Sequence, residues 1–165
     1  MSSVEDLVAL RRLADLYCSA VDDGDAKRMA SLFADGGELV VYAPGARPGK
    51  GEPLRRWGGA ENFERLLTTL EQNYVRWVHF LGNHWAEVNG DQAFGEAYLL
   101  ACHLRGGEGA QEEEVAVIRY VDRYVRVDGN WRFGQRNACR QWTTVRPVST
   151  SRHAIDTALR ESPPA

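Results

Sequence analysis

Partway along this chain the hydrophobic period changes from that of helices to that of strands, and it does not change back. In the first part, apolar side chains recur at steps of three and four: Val4, Leu7, Val8, Ala14, Tyr17, Cys18 and Val21 in one run, Phe63, Leu66, Leu67, Leu70 and Tyr74 in another. That spacing lays each set along one stripe of a helix. Beyond them, residues 76–88, 92–104, 114–127 and 131–145 are rich in β-branched and aromatic residues, which predicts strands. Asn89-Gly90 and Asp128-Gly129 separate these segments in pairs and are hairpin signals. Helices followed by a long antiparallel meander argue for an α+β fold and against alternating α/β.

The boundaries are set by local chemistry. Ser2…Glu5 has capping-box spacing and opens the first helix, which Gly24 ends. Asp25 can cap a short second helix running to about Phe33. Residues 38–43 read as a strand, 44–59 as a loop rich in Pro and Gly. The four later segments are long for ordinary strands, so the sheet should be strongly curved. A curved, mixed or antiparallel sheet wrapped around the N-terminal helices and one longer helix makes a cone that encloses a pocket. One domain over 1–146 is expected, with 147–165 as a polar tail whose short helix around Ile155 and Leu159 could cap the cavity.

Composition removes several function classes. The formal charge of -3 on 165 residues, with both signs scattered, gives no electrostatic footprint for nucleic acid or anionic lipid. Cys18, Cys102 and Cys139 lack the short spacing of a zinc or redox motif and read as reduced core thiols. With no basic leader and no apolar window near membrane length, a cytoplasmic protein is expected. No phosphate loop, Gly-x-Ser-x-Gly elbow or nicotinamide fingerprint occurs.

The polar residues that interrupt apolar faces are the candidates for chemistry. Asp22 borders the buried stripe of the first helix, where an isolated charge is costly, so it must reach solvent or find an internal partner. Its neighbours Asp23 and Asp25 read as capping carboxylates. A calcium loop is excluded, because the twelfth position from Asp22 is Phe33. His79 stands in the apolar run Trp77-Val78-His79-Phe80-Leu81. A core histidine is one reading; if Asp22 accepts one ring N–H, the tautomer is fixed and the other nitrogen becomes a general base. His103 ends the next strand. A two-residue turn at Asn89-Gly90 points it to the opposite face from His79, whereas a three-residue loop, or a bulge at Gly82 or Gly95, brings both to one face. Tyr17, Tyr42 and Tyr120 are candidate phenol donors or core aromatics. Arg140 alternates with Arg136, Ala138 and Trp142, and either clamps an anionic group or pairs with an acid. Trp77, Phe80, Leu99 and Trp142 supply an apolar pocket lining. His84 has opposite parity to His79, and His79, His84, His103 and Asp22 match no metal-ligand spacing, so no metal is expected. Glu112-Glu113-Glu114 reads as a solvated strand entry.

Four motifs in order, Tyr17-x4-Asp22-x2-Asp25, His79-Phe80-x-Gly82-Asn83, Val88-Asn89-Gly90-Asp91-x-Ala93 and Tyr124-x-Arg126-x-Asp128-Gly129-x-Trp131-x-Phe133, resemble the SnoaL-like, scytalone-dehydratase-like branch of the nuclear-transport-factor-2-like superfamily over residues 5–145. The analogues are scytalone dehydratase, hexachlorocyclohexane dehydrochlorinase and bile-acid 7α-dehydratase, which carry out eliminations with an Asp–His pair and no cofactor. The resemblance implies that Asp22 and His79 are that pair. It matches His103 to the second histidine of scytalone dehydratase, Tyr42 to its tyrosine after the first strand, and Tyr17 and Arg140 to a tyrosine and an arginine of the bile-acid enzyme. Val21, Ile118 and Tyr120 depart from the scytalone dehydratase pattern, so the substrate does not carry over. The resemblance thus implies a cofactor-free lyase acting on a hydrophobic cyclic molecule, with a homo-oligomer implied by analogy. An isomerase or polyketide cyclase on the same scaffold, or a non-catalytic ligand-binding module, stand as alternatives.

Overall fold

Ser3, one residue later than the expected cap, opens the first helix: its hydroxyl accepts the Asp6 N–H at 3.1 Å and satisfies one of the donors a helix start leaves free. The computed structural model describes residues 3–106 and 111–148. In it α1 spans Val4–Asp22 and α2 spans Ala26–Ser31, capped by Asp25 through the Arg28 N–H at 2.9 Å. The second helix stops short of Phe33 because that residue already begins β1, Phe33–Tyr42. The loop expected over 44–59 contains a short strand, β2, Arg55–Trp57. After α3, Ala60–Asn73, come β3, Arg76–Asn89; β4, Gln92–Arg105; β5, Gln111–Val127; and β6, Asn130–Val148. β6 thus runs past the boundary expected at 146, and the helix expected around Ile155 and Leu159 lies outside the described residues.

The strands form one sheet in the order β2-β1-β6-β5-β4-β3, parallel between β1 and β6 and antiparallel elsewhere. The fold is therefore α+β with a mixed sheet, open between β2 and β3. Asp128 and Gly129 make the β5–β6 turn, at φ 49° and 78°, the left-handed pair such a turn demands. The β3–β4 turn differs from expectation. Asn89 pairs with Gln92, so Gly90 and Asp91 are the turn residues, with Gly90 at φ 60°. A positive φ at the first turn position is what glycine accommodates, which moves the turn one residue along.

Bulges in β3 and β6 set which side chains of the long strands face the helices. Gly82 and Asn83 of β3 together oppose Tyr98 of β4, Gly134 is extra in β6 against β5, and so is Gln141. Each bends its strand and increases the local twist. At Gly82 a Cβ would sit 3.2 Å from the Tyr98 carbonyl oxygen, and Arg11 of α1 donates to the Gly82 carbonyl at 2.8 Å. Gly95 is no bulge: it pairs with Ala86 in register, and a Cβ there would meet the Trp85 carbonyl at 2.5 Å.

The core lies between the inner sheet face and the helices, with Leu10, Leu13, Tyr17 and Val21 of α1 and Phe63 and Leu67 of α3 packed on Phe33, Leu99, Tyr120 and Phe133. Against these bulky groups the sheet presents small buried residues, Ala97, Ala101, Ala116 and Ala138. Polar side chains share the layer with them. The thiols of Cys18, Cys102 and Cys139 are free.

Candidate active site

The last residue of α1 meets the second inward position of β3. Trp77 anchors the junction, its indole N–H donating to the Val21 carbonyl at 2.8 Å. Two residues on, the His79 backbone N–H donates to both Asp22 carboxylate oxygens at 3.1 Å, and His79 Nδ1 lies 2.6 Å from Asp22 Oδ1. The carboxylate is thus held by backbone and ring together. Asp22 as acceptor puts the proton on Nδ1, which leaves the Nε2 lone pair free. The His79 side chain is 8% exposed and that of Asp22 is 26% exposed, so the ring is shielded while the carboxylate keeps an edge toward water.

The bulge at Gly82 brings His103 to the same face. Below it His79 pairs with Ala101 and Trp77 with His103, and the two imidazoles stand edge to face with centroids 6.0 Å apart. His103 is buried, its Nδ1 has no hydrogen-bond partner among the described residues, and burial, followed by His79, pushes its pKa down to about 4. The same bulge reverses the parity expected of His84. It points inward, and its Nε2 lies 3.2 Å from the Tyr124 hydroxyl. Burial pushes its pKa down to about 4 as well.

A second polar group, which sequence reasoning did not select, occupies the interior. Arg136 and Asp122 are both fully buried, with Arg136 Nη2 3.6 Å from Asp122 Oδ2. The guanidinium lies 3.8 Å from the Tyr120 ring centroid, 4.4 Å from that of Tyr17 and 4.5 Å from that of Phe133. Its nitrogens make no hydrogen bond within the described residues. A buried cation so placed is stabilised by the ring faces, while its N–H donors are left over. Tyr17, hemmed in by these groups, has its pKa pushed up to about 12 by burial, so its phenol stays protonated. The alternation Arg136, Ala138, Arg140 offered both arginines, and the Asp122–Arg136 pairing of β5 with β6 is the signal that distinguishes them.

Other expected site residues fall elsewhere. Arg140 is half-buried and pairs with Ile118 on the inner face, close enough to His103 to oppose its protonation. Leu99 is a core residue opposite Leu81. Tyr42 is buried, but on the outer face with Val40 and Cys139, because in β1 it is Leu39 and Val41 that turn to the helices. Phe80 and Trp142 are 67% and 59% exposed on the outer face and line no pocket at His79. Phe80 has the wrong parity, and the Gln141 bulge takes Trp142 out of step with Arg140. Glu114, expected in solvent, is buried. Two grooves, of about 640 Å³ beside Phe94 and Arg123 and about 610 Å³ between α1 and β3 at Trp85, are not lined by Asp22 or His79. No cluster of three metal-ligating side chains occurs among the described residues, and no helix there is long and apolar enough to cross a membrane.

The sequence model of the SnoaL-like domain matches residues 2–137. A gamma-hexachlorocyclohexane dehydrochlorinase of Sphingobium indicum is 26% identical over 147 residues, covering 87% of this chain and 88% of that one. Among solved structures, a candidate aromatic ring hydroxylase from Novosphingobium aromaticivorans superposes with a TM-score of 0.71 at 19% identity, covering 90% of this chain and 96% of that one. A candidate scytalone dehydratase from the same species does so with a TM-score of 0.64 at 23% identity, over 83% and 85% of the two chains.

Proposed function

Because this chain belongs to the SnoaL-like domain family, we propose that it is a cofactor-independent lyase that performs a dehydratase-like elimination on a hydrophobic cyclic small molecule, with Asp22 and His79 as general acid/base pair. The likeness to a dehydrochlorinase supports a lyase-type enzyme of small molecules. The observation that carries the finer reading is the 2.6 Å contact between His79 Nδ1 and Asp22 Oδ1, which leaves Nε2 as the free base.

In this mechanism His79 Nε2 takes a proton from a substrate carbon. The C–H electron pair becomes the new C=C bond as the bond to the leaving group on the adjacent carbon breaks. Asp22 faces the positive charge that develops on the ring and keeps it oriented. Such general-base help contributes on the order of 10²–10⁴-fold. Arg136, with Tyr17 and Tyr120 against its faces, supplies buried N–H donors for the negative charge on the departing group. His103, edge-on to His79, is the second catalytic group, a neutral ring whose N–H donates to the departing group. No step requires a cofactor.

The test is product analysis with two probes, γ-hexachlorocyclohexane and a hydroxylated cyclic ketone. Loss of HCl or water that vanishes in Asp22→Asn and His79→Ala, with folding retained, supports the lyase. A product of unchanged mass indicates an isomerase or cyclase, and ligand binding indifferent to both substitutions indicates a binding module. The protein is further proposed to be a cytoplasmic homo-oligomer, a dimer or trimer, covering outer-face Phe80, Leu100 and Trp142, which are exposed in the single chain. Light scattering that returns a monomer mass would exclude that assembly.

A further inference from the structure

Beside the Asp22–His79 pair lies a polar knot that the elimination mechanism leaves without a part. Tyr74 closes α3 as its C-cap residue. Its ring lies flat on His103, with centroids 4.4 Å apart and planes at 23°. The Tyr74 hydroxyl donates to Glu114 Oε1 at 3.2 Å and accepts from Arg105 Nη2 at 3.1 Å. Arg105 also pairs with the second oxygen of Glu114, and its guanidinium carbon is 5.0 Å from the Tyr74 ring centroid. Glu114 is the residue that pairs with His103 across the β4–β5 ladder. The phenol is therefore fixed at its hydroxyl by two charged partners and offers its face to one imidazole.

That imidazole is clamped on two sides, by Tyr74 against its face and by His79 at its edge. Its side chain is buried with Nδ1 unpartnered among the described residues, so hydrogen bonds through that atom do not fix the ring. The stack on Tyr74 contributes to its orientation.

Resting on the elimination reading above, we propose that Tyr74, locked by Glu114 and Arg105, is a positioning residue: it holds His103 edge-on to His79 and keeps water off it, so that His103 serves as a neutral hydrogen-bonding partner to the reacting molecule. The charged and titratable groups around His103 come from every packed element: His79 on β3, Arg105 on its own β4, Glu114 on β5, Arg140 on β6 and Tyr74 at the end of α3. Burial, His79, Arg140 and Arg105 disfavour the imidazolium, whereas Glu114 favours it. Neutrality between about pH 4 and 6.5, where an ordinary imidazole would be charged, thus depends on the site staying dry, and Tyr74 covers one face of that ring.

The experiment is a ring-proton NMR titration of His103 in the full chain, run beside the pH profile of elimination. In Tyr74→Leu the His103 midpoint should rise by more than one pH unit toward the ordinary histidine value. kcat should fall about tenfold to a hundredfold with little change in KM, the scale expected of lost orientation. Tyr74→Phe, which keeps the stacking face, should restore most of both. If Tyr74→Leu does not fold, Arg105→Met, which loosens the hydroxyl from a half-exposed position, should move midpoint and rate in the same directions by less. An active parent whose His103 midpoint, kcat and pH profile are unchanged in Tyr74→Leu overturns the positioning role and leaves the elimination reading standing. A parent inactive toward both probes overturns that reading and this proposal with it.

Discussion

Asp22 and Asp122 both reach into the layer between helices and sheet, and they are held in different ways. Asp22 is partly exposed, contacts His79 at 2.6 Å and accepts a backbone N–H on both oxygens. Asp122 is fully buried, stands 3.6 Å from Arg136 and accepts its hydrogen bond from the Tyr124 hydroxyl at 3.0 Å, a hydroxyl that lies 3.2 Å from His84. The first arrangement is directional: it orients one ring and leaves one nitrogen free to react. In the second, burial dominates, and pushes the Asp122 pKa up to about 6 against the pull of Arg136. Geometry sets what Asp22 can do, and desolvation sets what the removal of Asp122 would cost.

That contrast can be broken or sharpened by substitution. The largest effect is expected at the directional site. Asp22→Asn should lower the elimination rate about 10²–10⁴-fold with a melting temperature close to the parent's, measured by initial rates and calorimetry. A comparable loss of melting temperature would mean that Asp22 is structural too. Next comes Asp122→Ala, which leaves a buried arginine without its counter-charge. It should destabilise by about 3–5 kcal/mol, read from the denaturation midpoint. A smaller cost would mean that the Tyr17, Tyr120 and Phe133 rings suffice to hold the cation.

The third expectation concerns acid. His103 in the folded protein has its pKa near 4, below the ordinary 6.5. The unfolded chain therefore binds a proton that the folded one refuses, and stability falls as pH drops from about 6.5 toward 4 by about 2–3 kcal/mol from this residue. His84 acts in the same direction. Denaturation series across that window should flatten in His103→Gln. An unchanged slope would show that His103 titrates normally. The smallest effect is expected of Tyr124→Phe, which removes one neutral donor to Asp122 and should cost about 1 kcal/mol in denaturant midpoint without altering turnover. A rate change there would mean that the Tyr124 hydroxyl also affects how the site holds the reacting molecule.

Much of the fold was legible in local pattern. The stripe of α1, the cap at Asp25 and the turn at Asp128-Gly129 are each decided by a few adjacent residues, and the structure reproduces them. The site was legible only in part. Asp22 and His79 stood out as polar residues in apolar runs, but Tyr42, Phe80 and Trp142 were assigned to a pocket that they do not face. Each error is one of parity. Phe80 and Tyr42 fail by plain alternation from His79 and Leu39, whereas Trp142 fails because the Gln141 bulge interrupts the alternation that it shares with Arg140. Arg136 escaped because nothing local distinguishes it from Arg140; its register partner Asp122 does.

What the amino-acid order determined alone was the kind and succession of elements, since helical stripes, strand alternation and turn residues depend on interactions a few positions apart. Which side of the sheet a residue faces, and which carboxylate finds which base, was decided only in the assembled molecule. A one-residue bulge exchanges the two faces of everything beyond it. Whether a bulge forms depends on the hydrogen bonds and packing of a neighbouring strand or helix, such as the Arg11 contact to the Gly82 carbonyl.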